Sequence, residues 1–326
     1  MARTNQVFQL LLLSGILLLA APPSPAQDPE LLRRFDYDQK TPLNMKRLGV
    51  QHRAHADVYD ITYDSLKGGV VPAYLVVPKG RGPFAAVIWG HWYWGNSSMR
   101  NRKQFLDEAI VLAQAGVVSL LTDGPVARPG HEAIKDPFDE RNANEFFQQV
   151  MDMRRGVDLL LARRDVDRRR IAYVGHSYNA GIGALLSGVD RRFKAFVLMA
   201  GVISNELIRQ AKEYQDYRQS VGAEKVDAYN EKYSWLDQGK YARHAAPAVV
   251  FLQFATQERF LTSERARAQA AIVSEPKRFQ LYEAPHALNA EARRDRIAFL
   301  IEQLRLKPLP AALVAAIPNL YQPQSQ

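Results

Sequence analysis

Short apolar runs recur along the chain and alternate with segments in which apolar residues are spaced three or four positions apart. Runs of about four to eight residues rich in Val, Ile and Leu are typical of strands buried on both faces of a parallel sheet. They lie at residues 85–89, 117–122, 171–174, 195–199, 248–254 and 278–282. Helical spacing is found at residues 104–115, 180–187 and 290–304, and in the stripe Phe146, Val150, Met153, Val157 and Leu160. This alternation predicts an α/β fold with a mostly parallel, doubly wound sheet and helices on both faces.

Two segments depart from the regular alternation. Residues 57–63 and 70–77 flank a Lys-Gly-Gly turn at residues 67–69, which predicts an antiparallel hairpin ahead of the parallel strands. Residues 204–241, between the sixth and seventh predicted strands, are rich in Tyr, Gln, Glu and Lys and predict a small helical insertion. The sequence leaves open whether this insertion is a lid over a cleft or a peripheral excursion.

The first residues of the chain, 1–26, have the pattern of a secretory signal peptide. A basic residue at Arg3 precedes an apolar core at residues 7–21, and a proline-rich stretch ends in the small residue Ala26. The pattern predicts cleavage after Ala26 and export to the periplasm or beyond. The apolar core is shorter than the roughly 20 residues of a spanning helix, which disfavours an uncleaved anchor. Residues 27–326 are then predicted to form a single large α/β domain without stable membrane insertion.

The composition excludes several kinds of chemistry. The chain has no cysteine, which excludes disulfides, thiolate metal sites and a cysteine nucleophile. Its formal net charge of +9 includes arginines that are scattered without interleaved aromatic residues, so a solvated basic surface is favoured over nucleic-acid binding. His52 and His55 have a spacing found in some metal sites, yet no third ligand accompanies them, and no metal site is predicted. Nothing in the sequence indicates an oligomeric state.

Candidate chemistry is concentrated at residues 171–181, Ile-Ala-Tyr-Val-Gly-His-Ser-Tyr-Asn-Ala-Gly. An apolar run leads into Gly175 and Ser177, and small residues that can open a helix follow. A serine at a tight strand-to-helix turn presents its hydroxyl clear of the backbone, within reach of a base and an oxyanion site. Ser177 is therefore the predicted nucleophile. Asn179 stands where the G-x-S-x-G pattern has its second glycine, and we interpret the segment as a variant elbow because Asn tolerates unusual backbone angles.

A serine nucleophile needs a histidine base and a carboxylate that orients this base. Two histidines follow Ser177: His244 precedes a predicted strand, whereas His286 follows the last predicted strand. Catalytic groups of open α/β sheets collect at the carboxyl ends of the strands, so His286 is the predicted base. Glu258 follows the preceding strand at the same edge and is the predicted acid, with Glu283 beside the histidine loop as the alternative.

The transition state of acyl transfer also needs N–H donors for its oxyanion. One is predicted to be the backbone N–H of Tyr178, directly after the nucleophile, and the other a backbone N–H from the glycine-bounded loop at residues 90–95. Within that loop the sequence leaves Trp92 and Tyr93 as candidates. Three side chains near these loops are candidates for substrate contact, namely His91, Trp94 and Arg128. For His91 a structural role in the loop is favoured over a catalytic one.

These motifs resemble the α/β-hydrolase superfamily, and within it the dienelactone hydrolase and acetyl xylan esterase-like branch. The resemblance rests on the order of Ser177, Glu258 and His286, on the elbow, and on the loop of His91. It extends over roughly residues 57–304. It implies an α/β-hydrolase fold and hydrolysis through a covalent acyl-enzyme, with no metal or organic cofactor.

Together with the signal-peptide pattern at residues 1–26, the resemblance implies an exported carboxylesterase that acts on a small-molecule ester. A small serine peptidase of the same fold is one alternative. A catalytically silent binding protein on a hydrolase scaffold is another, and its main support is Asn179. A second departure from the branch is Glu258 with Ala255, where Asp and Gly are common. Because of these departures, the acyl and alcohol specificity is left undefined.

Overall fold

The computed structural model describes residues 27–93, 97–258 and 261–320. The predicted signal peptide at residues 1–26 lies outside this part of the chain. The strands are β1 (Lys46–His52), β2 (Ala56–Asp64), β3 (Val70–Pro78), β4 (Phe84–Gly90), β5 (Val117–Thr122), β6 (Val166–His176), β7 (Ala195–Met199), β8 (Val249–Ala255) and β9 (Lys277–Tyr282). The α-helices are α1 (Pro29–Arg33), α2 (Leu106–Ala113), α3 (Glu140–Leu161), α4 (Tyr178–Val189), α5 (Asn205–Arg209), α6 (Lys212–Val221), α7 (Ala223–Lys232), α8 (Gly239–Ala242), α9 (Ser263–Ile272), α10 (Ala290–Leu304) and α11 (Ala311–Ala315). In the described ranges, none of these helices has the length and apolar character that a bilayer crossing requires.

The strands form one sheet in the order β1-β2-β3-β5-β4-β6-β7-β8-β9. β2 and β3 pair antiparallel, and their turn holds Gly68 and Gly69 at φ of 93° and 73°, a region that favours glycine. β5 pairs antiparallel with β3, whereas β4 to β9 are all parallel to one another. The predicted mostly parallel sheet with an antiparallel hairpin is confirmed. The carboxyl ends of β4 to β9 lie at one edge, which we call the carboxyl edge.

Helices cover both faces of this sheet. Successive residues of β4 point to opposite faces, and Val87 and Ile88 accordingly belong to two different hydrophobic cores. The core around Ile88 includes side chains of α3, α4, α8 and α9, and the core around Val87 includes side chains of α2, α10 and α11. The apolar stripe predicted from the sequence is buried in α3 at Val150, Met153, Val157 and Leu160.

Two strands differ from the prediction. β1 was not indicated by the sequence because this edge strand is exposed along almost its whole length, with Leu48 64% exposed. It therefore lacks the alternation of buried and exposed positions by which a strand is recognised. β6 begins at Val166, earlier than the apolar run that starts at residue 171, since the basic residues 168–170 also belong to the strand. Charged side chains are tolerated there because that end of β6 is largely open to solvent.

Residues 204–241 are mostly helical, as predicted, and contain α5 to α8. Lys225 Nζ lies 2.5 Å from Asp136 Oδ2, and Lys232 Nζ lies 2.5 Å from Glu140 Oε1. These ion pairs connect α7 to the loop before α3 and to the first turn of α3. The insertion therefore lies beside the N-terminal half of α3, next to the carboxyl edge.

Candidate active site

Ser177 occupies the turn between β6 and α4. Its backbone has φ 56° and ψ −112°, a strained conformation for a residue with a side chain. Its N–H donates to the carbonyl of Met199 at 2.7 Å. The close approach of the segment after β7 requires glycine at Gly201, where an added Cβ would lie 2.4 Å from Ser177 O. The turn fixes the partly exposed Ser177 at the carboxyl edge with the backbone geometry of a nucleophile elbow.

Asn179, the residue that departs from the elbow pattern, is fully buried at the second position of α4. Its side chain lies against Gly90 at the end of β4, where an added Cβ would be 2.5 Å from Asn179 Cβ. Asn179 Nδ2 donates to His91 O at 2.6 Å, and Asn179 Oδ1 accepts from Gln149 Nε2 at 3.1 Å. The room that the usual second glycine leaves is thus supplied from β4. The amide of Asn179 also ties the elbow to the loop after β4.

His286 and Glu258 meet at the carboxyl edge. His286 Nδ1 lies 2.5 Å from Glu258 Oε1, and the two side chains are only 11% and 14% exposed. The loops that carry them run side by side, since Thr256 N donates to Tyr282 O at 2.9 Å beyond the end of β8. The alternative acid, Glu283, is exposed. Glu258 is therefore the carboxylate in contact with His286.

His176 connects the histidine loop to the elbow. His176 Nε2 donates to His286 O at 2.8 Å, and the two imidazole rings stack with centroids 5.2 Å apart. The indole of Trp92 stacks on both rings, at 5.0 Å from His176 and 6.2 Å from His286. The imidazole of His286 thus lies against the residue that immediately precedes Ser177. His244 lies just before β8, at the opposite edge of the sheet.

Gln104 holds the loop after β4 against the elbow. Gln104 Oε1 accepts from the Trp92 N–H at 2.6 Å, and Gln104 Nε2 donates to His176 Nδ1 at 2.7 Å. Burial lowers the pKa of His176 well below its usual value, so the neutral ring accepts at Nδ1 and donates at Nε2. Because the Trp92 N–H is bonded to Gln104, the Tyr93 N–H is the remaining oxyanion candidate of this loop. It joins the N–H of Tyr178, which lies in the first turn of α4 where helical N–H groups have no intrahelical acceptor.

His91 is buried in the loop after β4. Its Nε2 accepts from the Gly124 N–H at 3.0 Å, and its Nδ1 donates to Trp92 O at 2.7 Å. Burial lowers the pKa of His91 to about 4, so the ring is neutral near pH 7. Since backbone groups occupy both ring nitrogens, substrate contact by His91 is not supported. The imidazole instead joins the loops that follow β4 and β5.

The other two candidates for substrate contact are Arg128 and Trp94. Arg128, in the loop after β5, donates to Asp123 O at 3.3 Å and to the carboxylate of Asp152, which is 1% exposed. Its guanidinium is therefore engaged in an ion pair, although Arg128 also lines a cavity of about 190 Å³ together with Tyr93. Trp94 lies outside the described residues.

A larger cavity, of about 290 Å³, lies between the elbow, α3 and the insertion. Aromatic and polar side chains share its lining: Tyr93, Phe146, Tyr178, Arg209, Tyr229 and Gln238. The hydroxyl of Tyr178 and Oε1 of Gln238 are buried and have no hydrogen-bond partner within the described part of the chain. Because Tyr178 directly follows Ser177, the cavity adjoins the predicted nucleophile.

Sequence reasoning missed the side chains that hold the loops together. Gln104 and Gln149 carry no recognisable spacing, and their partners lie far away in sequence. His176 belongs to the elbow motif, but its bond to His286 becomes apparent only when the loop after β9 is in position. Over the residues that the structure describes, no group of three or more His, Asp and Glu side chains is arranged to hold a metal ion.

Comparison with known proteins gives a likeness at the level of structure. No family model and no curated protein matches the chain. An acetyl xylan esterase from a Paenibacillus species has a similar structure, with a TM-score of 0.66 at 18% identity over 85% of this chain and 92% of its own. Acetyl xylan esterase 1 from a Thermoanaerobacterium species has a TM-score of 0.67 at 14% identity, over 86% of this chain and 95% of its own. Glucuronoyl esterase from Solibacter usitatus has a TM-score of 0.56 at 15% identity, over 84% of this chain and 91% of its own. At such identities the likeness establishes the fold, and the chain has the α/β-hydrolase fold.

Proposed function

We propose that this chain is a serine hydrolase that cleaves carboxylic esters, with Ser177 as nucleophile, His286 as base and Glu258 as acid. The observation that carries the proposal is the 2.5 Å contact between His286 Nδ1 and Glu258 Oε1. The imidazole in that contact also stacks on His176, the residue before Ser177. The similar solved structures described as acetyl xylan and glucuronoyl esterases support ester hydrolysis as the reaction.

The proposed reaction has two halves. The Oγ of Ser177 attacks the ester carbonyl carbon while its proton passes to Nε2 of His286, and Glu258 stabilises the imidazolium through Nδ1–H. The tetrahedral intermediate collapses, its C–O bond to the alcohol breaks, and His286 returns the proton to the leaving alkoxide. A water molecule then attacks the acyl-enzyme with His286 as base again, which releases the carboxylic acid and restores the serine.

The oxyanion of both tetrahedral intermediates is proposed to bind the N–H groups of Tyr178 and Tyr93. The engagement of the Trp92 N–H with Gln104 supports Tyr93 over Trp92. Asn179 contributes indirectly, because its bond to His91 O holds the same loop at a set distance from the elbow. Donors that are already oriented before the charge develops lower the barrier most effectively.

The cavity beside Tyr178 is proposed to receive the acyl or alcohol part of a small-molecule ester. Helices of the insertion at residues 204–241 form one side of it, which supports the insertion as a lid. Its aromatic walls, which include Tyr93, Phe146 and Tyr229, suit a ring in the substrate. We also propose that residues 1–26 direct the chain to export, on the sequence pattern alone.

A covalent probe tests the proposed chemistry most directly. A fluorophosphonate should label the purified chain at Ser177 and inhibit hydrolysis of p-nitrophenyl acetate with the same rate constant. Ser177→Ala should lose both the label and the turnover. Ser187→Ala, in helix α4 that follows Ser177, is the matched control and should keep both. A silent binding protein predicts no label on the wild type, and faster cleavage of aminoacyl p-nitroanilides than of the acetate would indicate a peptidase.

A further inference from the structure

We propose that a basic cleft at the amino ends of β6 and β7 binds an anionic polysaccharide and is separate from the catalytic centre. The cleft, of about 250 Å³, lies between the start of β6, the loop before β7 and the loop before β8. Its charged lining consists of Arg168, Arg169, Arg191, Arg192 and Lys194, and no acidic residue contributes to this lining within the described ranges. The inference does not depend on the proposed esterase activity.

Most of the positive charge in the basic cleft is not neutralised by carboxylates. Arg192 is paired with both Asp158 and Asp190, so its charge is balanced. Arg168 and Lys194, in contrast, are exposed and form no ion pair with any residue that the structure describes. A ligand anion can therefore approach these two cations without displacing a carboxylate.

Two more cations add to the same field. Arg191 Nη1 donates to the carbonyl oxygens of His244 and Ala246, both at 2.7 Å. These neutral acceptors orient the guanidinium without cancelling its charge. The Arg169 side chain is 88% exposed and lies 3.7 Å from Asp167, an arrangement that screening by solvent makes weak. Arg168, Arg169, Arg191 and Lys194 thus surround a concave surface with net positive charge, which raises the local concentration of anions.

The character of the basic cleft favours a polysaccharide over a nucleic acid or a membrane. Its one aromatic lining residue in the described ranges, Phe193, is 4% exposed, so bases have no ring on which to stack. The exposed large apolar residues, such as Leu48, Val50 and Tyr217, lie in other elements, so the rim offers no side chain for insertion into a bilayer. Carboxylate or sulfate groups on a sugar chain match guanidinium groups through paired hydrogen bonds.

The basic cleft is remote from Ser177. Ile171 and Ser177 are six residues apart along the regular part of β6 and the turn after it, which is about 20 Å at roughly 3.3 Å per residue, and Arg168 lies beyond Ile171 at the amino end of the strand. A polymer bound in the cleft therefore leaves the carboxyl edge open. Hydrolysis of a small neutral ester should not depend on occupancy of the cleft.

The test compares two variants that each lose three positive charges. The cleft variant carries Arg168→Gln, Arg169→Gln and Lys194→Gln. The control variant carries Lys46→Gln, Arg53→Gln and Lys135→Gln, exposed residues outside the cleft. Binding to polygalacturonate and to heparin is measured by calorimetry in roughly 50 mM and roughly 150 mM NaCl. Dextran is the uncharged control polymer. Circular dichroism and turnover of p-nitrophenyl acetate verify that both variants fold.

We expect the wild type to bind at least one of the two anionic polymers, and not dextran. The cleft variant should bind about tenfold more weakly or worse, while the control variant changes less than about threefold. Equal weakening of both variants would mean that net charge alone attracts the polymer, and would overturn the proposal. Absence of polymer binding by the wild type would also overturn the proposal. The same holds if the cleft substitutions abolish binding to phosphatidylglycerol vesicles while polymer binding persists. Unchanged ester turnover in the cleft variant separates this outcome from any failure of the proposed catalysis.

Discussion

The polar cluster around Ser177 and the helical insertion at residues 204–241 are held in different ways. In the cluster, Asn179, Gln104 and His176 are buried, and each side chain bonds to two partners on other segments. Buried hydrogen bonds of this kind restrict a structure strongly, because an unmade bond leaves an unsatisfied polar group without water. The cluster therefore fixes the relative positions of the elbow, the loop after β4 and the histidine loop.

The insertion contacts the rest of the chain through exposed groups as well as packing. The pair of Lys225 and Asp136 has side chains 55% and 42% exposed, and the pair of Lys232 and Glu140 has 57% and 59%. Such ion pairs are screened by salt and exchange readily with water. Hydrogen bonds with one allowed geometry thus surround the proposed nucleophile, whereas adjustable ion pairs hold the helices that border the cavity.

The largest effect is expected for His286→Ala. Removal of the imidazole leaves Ser177 without its proposed base and Glu258 without its partner, so kcat should fall by about 1,000-fold or more. His244→Ala, at the opposite edge, should keep kcat within about twofold. Steady-state kinetics on p-nitrophenyl acetate measure both. Comparable losses in the two variants would contradict the assignment of the base.

Glu258→Gln should cost less, about 10- to 1,000-fold in kcat, because an amide still contacts His286 Nδ1 but does not stabilise the imidazolium. Glu283→Gln is the matched control, since this residue is exposed beside the histidine loop. It should leave kcat unchanged. A silent Glu258→Gln together with a severe Glu283→Gln would transfer the role of acid to Glu283.

Asn179→Gly restores the usual elbow pattern and yet should lower kcat by about tenfold with little change in KM. The variant loses the bond to His91 O, so the loop that bears the Tyr93 N–H becomes less well positioned. Asn44→Gly is the control, because Asn44 also has a positive φ of 43° but lies just before β1, at the edge of the sheet and away from β6. An Asn179→Gly enzyme as active as the wild type would show that the amide has no positioning role.

The buried histidines predict a dependence of stability on pH. The folded pKa of His91 is lowered to about 4, below the value of about 6.5 expected in the unfolded chain. The unfolded state therefore takes up a proton between these values that the folded state does not, and the free energy of unfolding falls as pH falls from about 6.5 to about 4. At pH 4 the titration of His91 alone has lowered the free energy of unfolding by about 3 kcal/mol relative to neutral pH. Urea titrations at several pH values give the free energy of unfolding at each pH. Between about pH 6.5 and 4, this free energy should fall less steeply for His91→Gln than for the wild type.

The smallest effect is expected in the insertion. Lys225→Met combined with Lys232→Met should change Tm by less than about 2 °C, because both ion pairs are exposed. The same variant should alter kcat/KM for bulky esters more than for p-nitrophenyl acetate if the insertion acts as a lid. Differential scanning calorimetry and a series of esters of increasing size measure the two quantities. A large fall in Tm would mean that the ion pairs, and not packing, hold the insertion.

The central fold was predictable because its strands are buried on both faces. Continuous apolar runs mark β4, β5 and β7, and the stripe of α3 has a clear helical period. β1 was missed for the opposite reason, since an edge strand open to solvent needs no apolar pattern. The basic start of β6 was missed because the residues at 168–170 resemble a loop by composition.

In the site, predictability followed sequence locality. Ser177 is identified by the residues beside it, and His286 and Glu258 by their positions directly after strands. The sequence therefore predicted that His286 and Glu258 lie together at the carboxyl edge, where the structure has them in contact. The choice between Trp92 and Tyr93 required the position of Gln104, whose bond to the loop joins residues 12 apart and leaves no motif. For Asn179, the sequence showed the departure but not the compensation by Gly90.

The contact between Gly90 and Asn179 carries a consequence for how such an elbow can change over generations. With Asn at 179, any side chain at position 90 would collide with it, so Gly90 cannot be replaced first. Loss of the Asn179 side chain would lift that restriction, and a larger residue could then settle at position 90 and block the way back. Substitution at position 179 is therefore expected to precede substitution at position 90. The two positions should covary in alignments of related sequences.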